Sequence, residues 1–186
     1  VICMANFPTF DPTNFVGGVS QENWDRYNDS GSSYAPLMNR CIAGQYPAAS
    51  TFKAFTGLAA LNYGFATSST SWNCSGTWTG FGEAYAQKCW LTTGHGAIDL
   101  RHGIVVSCDV VFYEIAKNFY DASSKIGDDA MQNYIKEFGL GSKTGIELPD
   151  EAQGVIPTPE WKKEYFRNAP EEGQWQPGDM TNMVIG

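Results

Sequence analysis

Ser50 and Lys53, in the stretch "YPAASTFKAF", are the residues of this 186-residue chain whose types and spacing most directly suggest chemistry. Three apart, they share one face of a helix, one turn from each other. A serine hydroxyl is a poor nucleophile until a neighbouring base takes its proton, and a partly desolvated lysine amine can do so. A helix N-terminus at Ser50 would also aim backbone N–H groups and a positive dipole end at a developing oxyanion. The pair therefore points to covalent acyl transfer, with Ser50 as nucleophile and Lys53 as base. Taken alone, Ser-x-x-Lys is as readily an N-cap serine beside an exposed lysine, so it needs company.

That company lies further along. Ser107-Cys108-Asp109 interrupts an apolar helical pattern running from Ala97 to about Tyr120. A serine and a carboxylate set into such a pattern need polar partners, and a proton relay to the Ser50–Lys53 pair would supply them. A second cluster comprises Cys74, Cys89, His95 and Cys108. Three thiolates and an imidazole make a tetrahedral structural zinc set, although these spacings are looser than a zinc finger's. A Cys74–Cys89 disulfide with Cys108 buried and His95 hydrogen-bonded, or four unconnected residues, fits the same letters. Cys3 and Cys41 read as buried thiols and His102 as a residue on a helix surface.

The elements that must hold these groups are mostly helical. Ser50–Asn62 reads as a helix capped by Ser50, with Phe55, Leu58, Ala59 and Leu61 as its apolar face and Gly64 as its stop. "DDAMQNYIKEF" reads as a helix opened by Asp128 and closed by Gly139, and "TPEWKKEYF" as one with Thr158 at the N-cap and Pro159 at its first position. Residues 1–49 suggest a short strand followed by ordered loops, residues 65–96 read as loop, and no multi-stranded sheet can be assembled from the rest. A net charge of −8 and a pI near 4.6, with no basic run, argue against a nucleic-acid partner. No stretch reaches the ~18 apolar residues of a transmembrane helix. Both ends, "VICMANFPTF" and "TNMVIG", look cut, so the chain is expected to be an internal piece of a longer protein.

The segments "FDPTNF", "PLMNRC", "YPAASTFK", "GHGAIDL", "SCDVVFYEIA", "FGLGSKTGIELPDEAQG" and "WQPGDMTNMVIG", in that order, resemble the transpeptidase domain of class B penicillin-binding proteins, most closely the elongation-type branch. The resemblance implies an α/β (α+β) penicillin-binding and serine β-lactamase-like fold, here incomplete: the helical lobe plus part of the antiparallel-sheet lobe. It also implies a peptidoglycan D,D-transpeptidase. Ser50 would attack the carbonyl between the terminal D-alanines of a stem peptide, Lys53 would be the base, and Ser107 and Asp109 would match the second family motif. One departure is Ala48-Ala49, where the family usually has Pro-Gly. β-Lactams would acylate Ser50 as substrate mimics. Other implied partners are a glycosyltransferase and further cell-wall elongation proteins, with the parent anchored at the extracytoplasmic face of the membrane. The resemblance to elongation-type members also implies a metal near the second motif, which adds weight to a Cys₃His zinc site at Cys74, Cys89, His95 and Cys108.

The family's third motif is Lys-Thr-Gly on an edge strand, and Lys143-Thr144-Gly145 carries those letters. Gly139 and Gly141 precede it, Pro149 follows, and the alternation at Ile146 and Leu148 is too short for a core strand. The triplet is thus expected to be a loop. The real third motif is expected beyond Gly186, leaving the 186 residues inactive or feeble by themselves. Two rival readings remain. A serine β-lactamase would need a deacylating Glu, for which Glu114-x-x-x-Asn118 is the superficial match and an exposed helical acid the plainer one. A non-catalytic β-lactam-sensing receptor domain would share the stable acylation. The tryptophans, Trp24, Trp72, Trp78, Trp90, Trp161 and Trp175, are scattered and read as core or loop anchors.

Overall fold

A computed structural model describes residues 2–28 and 35–186, which divide into two compact units: residues 2–28 and 35–46 with 143–154, and residues 47–142 with 155–186. The smaller unit holds little regular structure. Asp11 accepts from the Thr13 amide at 2.9 Å and opens a 3₁₀ turn, Pro12–Phe15. Helix α1, Gln21–Asn28, follows Ser20, whose hydroxyl accepts from the Asn23 amide at 3.2 Å. The strand expected near the N-terminus is not formed among the described residues. The helix in its place carries a serine cap signal that its polar composition conceals. Phe15 stacks on Tyr27 with ring centroids 5.7 Å apart, and Phe10 packs edge-on to Phe15. So small an apolar cluster leaves Cys3 and Cys41 exposed, against the expectation of buried thiols. The 143–154 segment is tied in where the Ala152 amide donates to the Ile42 carbonyl at 2.7 Å.

The larger unit is built on a long helix, α4 (Asp109–Ile126), which buries Val111, Phe112, Ile115, Ala116 and Phe119. Their spacing is the i, i+3, i+4 stripe of a core-facing helix. Around it pack α2 (Lys53–Asn62), α5 (Ala130–Lys136) and α7 (Pro177–Met183), while α3 (Leu100–Val105) precedes it in the chain. Helix α6, Pro159–Tyr165, starts as expected, with Thr158 accepting from the Trp161 amide at 3.1 Å. In α5 the N-cap is Asp129 rather than Asp128, and its side chain makes no cap bond. Four short strands pair two by two: β1 (Ser71–Cys74) with β4 (Gly96–Asp99), and β2 (Thr77–Trp78) with β3 (Gln87–Lys88), all antiparallel. The apolar run from Ala97 therefore begins as strand, not helix. Ile98 alternates inward before Asp99 caps α3 by accepting from the His102 amide at 2.7 Å.

Helix α2 presents an unexpected face. Lys53, Thr56, Gly57, Ala59 and Ala60 are buried, whereas Leu58 and Leu61 are exposed at 43% and 45%. The buried face packs on α3, where a Cβ added at Gly57 would meet Ile104 Cδ1 at 3.4 Å, an ordinary van der Waals contact. The same face carries Lys53 into the core. Among the described residues no helix is long and apolar enough to cross a membrane.

Candidate active site and metal centre

Ser50 lies in a 3₁₀ turn, Ala49–Phe52, that leads directly into α2. It caps neither element: the N-cap of the turn is Ala48 and that of α2 is Phe52, neither with a side-chain bond. Its hydroxyl is left for other work, exposed and 2.8 Å from Ser107 Oγ.

Ser107 owes its position to the way α3 ends. The Cys108 amide donates to the Gly103 carbonyl at 2.8 Å and the Ser107 amide to the Ile104 carbonyl at 3.1 Å. This is the paired bonding of a Schellman turn, with Ser107 at the left-handed position that glycine usually fills. Its φ is 53°, which costs a non-glycine residue about 1–2 kcal/mol and needs surrounding contacts to hold it. Lys53 provides two of them, with Nζ donating to the Ser107 carbonyl at 3.1 Å and to Ser107 Oγ at 3.0 Å.

The third Lys53 contact is to Asp109 Oδ1 at 2.6 Å. The side chains are 1% and 15% exposed, so this is an interior ion pair. Removing either partner of such a pair strands the other at a cost of about 3–5 kcal/mol. Asp109 is the first residue of α4, where the helix dipole favours a carboxylate. Phe112, one turn on, places its ring 5.4 Å below the Lys53 ammonium. Asp109 Oδ2 accepts from the Trp90 amide at 3.0 Å. Ser50, Ser107, Lys53 and Asp109 are thus brought into one contiguous network. The path from Lys53 to Ser50 runs through Ser107 Oγ, which contacts both.

The Cys/His cluster adjoins this network through Cys108. The ligand atoms of Cys74, Cys89, His95 and Cys108 all lie within 4.8 Å of one another. Nδ1 of His95 is 3.5 Å from Cys74 Sγ and 3.7 Å from Cys89 Sγ. Bond lengths of ~2.3 Å to sulfur and ~2.0 Å to nitrogen give a tetrahedron with edges of about 3.5–3.8 Å, so the set fits zinc in size and chemistry. All three cysteines are buried and free, and the Cys74–Cys89 disulfide is not formed. Among the described residues the buried His95 Nε2 has no hydrogen-bond partner, and Nδ1 is the atom that faces the thiols. Burial opposes a Cys74 thiolate, yet hydrogen bonds from the His95 and Gly76 main chain and the neighbouring thiols hold its pKa below the ordinary value. Burial pushes the Cys108 thiol up to about 12. So dense a donor set could hold a cation. Two glycines let the ligand loops meet: a Cβ on Gly76 would stand 2.0 Å from the Thr92 carbonyl oxygen, and one on Gly94 2.2 Å from that of Cys74.

Lys143-Thr144-Gly145 falls in the smaller unit, in irregular chain rather than a strand, as expected. Thr144 donates through its amide and hydroxyl to Glu151 at 2.8 and 2.6 Å. Glu114 departs from expectation: it is half-buried on α4, accepting from Trp78 Nε1 at 2.7 Å. A carboxylate engaged in this way is not placed to activate a deacylating water. His102 is exposed on α3, as read. Trp90 is the residue that sequence reasoning passed over as a loop anchor, and its position beside Cys89 was the signal available.

The family described as "Penicillin binding protein transpeptidase domain" matches residues 1–174. The peptidoglycan D,D-transpeptidase MrdA of Acinetobacter baumannii is 31% identical over the whole chain, and that of Haemophilus influenzae 35%. In each case the chain spans 26% of the relative, about a quarter of its length. Among solved structures, PBP2 of Pseudomonas aeruginosa superposes with a TM-score of 0.81 at 30% identity, covering 98% of this chain and 38% of its own. PBP2 of Helicobacter pylori, solved as a complex with MreC, gives 0.82 at 30% identity, covering 98% of this chain and 31% of that one.

Proposed function

This chain belongs to the penicillin-binding protein transpeptidase family, and on that footing we propose that its parent is a serine D,D-transpeptidase of peptidoglycan with Ser50 as nucleophile. The observation that carries the reading is the unbroken contact path Ser50–Ser107–Lys53–Asp109, at 2.8, 3.0 and 2.6 Å. Such a path is what an otherwise weak hydroxyl nucleophile needs.

In the proposed reaction Lys53, having first given up the ammonium proton that it directs at Ser107 Oγ, receives the Ser50 proton by way of the Ser107 hydroxyl. Ser50 Oγ bonds the carbonyl carbon between the two terminal D-alanines of a stem peptide. The C–N bond then breaks, and the proton passes to the departing D-alanine amine, leaving an ester on Ser50. An amino group of a neighbouring stem attacks that ester and gives up a proton to the same relay. The C–O bond breaks and Ser50 regains its hydroxyl. Asp109 keeps Lys53 directed at Ser107 throughout. A β-lactam enters the first half of this sequence, its ring C–N bond opening as Ser50 is acylated.

Lys143-Thr144-Gly145 takes no part in this reading, and residues 1–186 form a partial transpeptidase domain whose third motif lies elsewhere in the parent. The absence of a strand at residues 143–145 and the much greater length of the relatives support this. Oxyanion donors are worth about 10²–10³ in rate, so the 186 residues alone are inactive or feeble. Cys74, Cys89, His95 and Cys108 would hold one zinc ion. With four protein ligands it would supply structural rigidity and no activated water. The parent acts on stem peptides and β-lactams at the extracytoplasmic face of the membrane, beside a glycosyltransferase and other cell-wall elongation proteins. The complex of the Helicobacter pylori protein with MreC supports partners of that kind.

The test is intact mass spectrometry of the full-length parent after incubation with penicillin. A long-lived single adduct, absent from Ser50→Ala, is expected. Rapid release of hydrolysed drug would instead make the protein a β-lactamase, and no adduct at all would sink the proposal.

A further inference from the structure

Trp90 stands between the two clusters and makes a separate contact with each structure around it. Its amide donates to Asp109 Oδ2 at 3.0 Å, so each Asp109 oxygen has one donor, Lys53 on one side and Trp90 on the other. Its indole Nε1 donates to the Val106 carbonyl at 2.9 Å. Its ring lies edge-on to His95 with centroids 5.4 Å apart, and its chain neighbour is Cys89. Yet the residue is 62% exposed, so burial of the ring is not its main contribution.

We infer that Trp90 is a positioning residue that transmits the geometry of the Cys/His centre to the Lys53–Asp109 pair and the Ser107 turn, an inference that rests on the transpeptidase reading of Ser50. Val106 is the C-cap residue of α3, and its carbonyl belongs to the group that a helix end leaves without an intrahelical donor. The indole N–H fills that vacancy immediately before Ser107, the residue held at φ 53°. A strained backbone conformation persists only while its surroundings over-determine it. Without the indole bond the turn can relax, carrying Ser107 Oγ away from both Ser50 and Lys53. Meanwhile the Trp90 amide is anchored from the other side, because Cys89 and His95 fix the main chain and the ring. Ordering of the Cys/His centre by a bound zinc therefore reaches Asp109 by a second route, independent of the Cys108–Asp109 peptide bond.

Trp90→Phe removes the indole N–H and keeps the ring and the amide; Trp90→Ala removes the ring as well. In the full-length parent, stopped-flow acylation by penicillin separates the binding constant from the acylation rate constant, and native mass spectrometry counts zinc. Trp90→Phe is expected to retain one zinc and bind penicillin within about twofold of wild type, but to acylate about tenfold more slowly, the scale of a sub-ångström misplacement. Trp90→Ala is expected to acylate no faster than Trp90→Phe and to surrender zinc to a chelator several-fold sooner. Stripping zinc from the wild type should slow acylation, and stripping it from Trp90→Phe should add less than the product of the two effects. Wild-type acylation rates in both variants would overturn the inference, as would full multiplicativity with zinc removal. If penicillin fails to acylate the wild type, the transpeptidase reading falls and this inference falls with it.

Discussion

Two polar triplets in this chain carry the letters of known catalytic motifs, and the structure treats them differently. Ser107-Cys108-Asp109 is held by the α3 turn, by three Lys53 contacts, by the Trp90 amide and by the cysteine cluster. Lys143-Thr144-Gly145 lies in irregular chain, with Thr144 tied to Glu151 seven residues away. Interior polar groups must be satisfied by several partners at once, whereas an exposed loop needs only local ones. What sets the first triplet apart from the second is the number of long-range contacts that its polar atoms make.

The largest expected effect tests that contrast at the two lysines. Lys53→Met in the full-length parent should reduce penicillin acylation by about 10³-fold or more, given what an activated nucleophile owes to its base. It should also lower unfolding free energy by about 3–5 kcal/mol, because Asp109 loses its partner in a site where its side chain is only 15% exposed. Lys143→Met should leave acylation within about twofold and stability nearly unchanged, as surface substitutions do. Equal loss at the two positions would erase the distinction.

A second contrast sets the buried cysteines against the exposed ones. Chelation, or Cys89→Ser, should remove zinc from the native mass and lower Tm by about 10 °C, corresponding to about 3 kcal/mol for a chain of this size. Cys3→Ser and Cys41→Ser should shift Tm by about 1 °C or less. A wild-type mass that carries no zinc and is indifferent to chelator would remove the metal from the account.

Within the Ser107 turn the expected difference is smaller and of opposite sign in its two components. Ser107→Ala and Ser107→Gly both delete the hydroxyl bridge and should slow acylation by about 10²-fold. Glycine, however, suits φ 53°, so Ser107→Gly should be more stable than Ser107→Ala by about 1 kcal/mol in denaturant unfolding. Identical midpoints for the two would mean that the turn stores no strain.

The sequence could be read furthest where chemistry imposes more than one demand on a residue. Ser50 and Lys53 are legible from their spacing, Ser107 and Asp109 because polar groups inside an apolar pattern need partners, and the structure brings all four together. The four cysteine and histidine residues also converge, although their spacing alone left a disulfide open. Helix faces were harder. Leu58 and Leu61 look like core residues, yet they are exposed while Lys53 is buried, where Ser107 and Asp109 supply polar partners that are invisible in α2 alone. The strand at Gly96–Asp99 was hidden because β1, its partner, lies more than twenty residues earlier. Trp90 escaped notice because its contribution runs through a backbone amide and one indole hydrogen, neither of which leaves a pattern in the letters.

The smallest expected effect belongs to the loop that resembles a motif without its contacts. The Thr144 hydroxyl, and after it the Thr144 amide, hold the Glu151 carboxyl below its ordinary pKa of 4.5. A carboxylate with a lowered folded-state pKa contributes stability that is fully present above the ordinary value and is lost as pH falls through the folded one. Hydrogen exchange at the Thr144 amide should therefore show constant opening from neutral pH down to about pH 5 and rising opening below pH 4, once intrinsic rates are divided out. Glu151→Gln should raise that opening at neutral pH while leaving penicillin acylation unchanged. Loss of acylation in Glu151→Gln would show that the loop contributes to the reaction after all, and that a triplet held by local contacts alone can still serve a cleft.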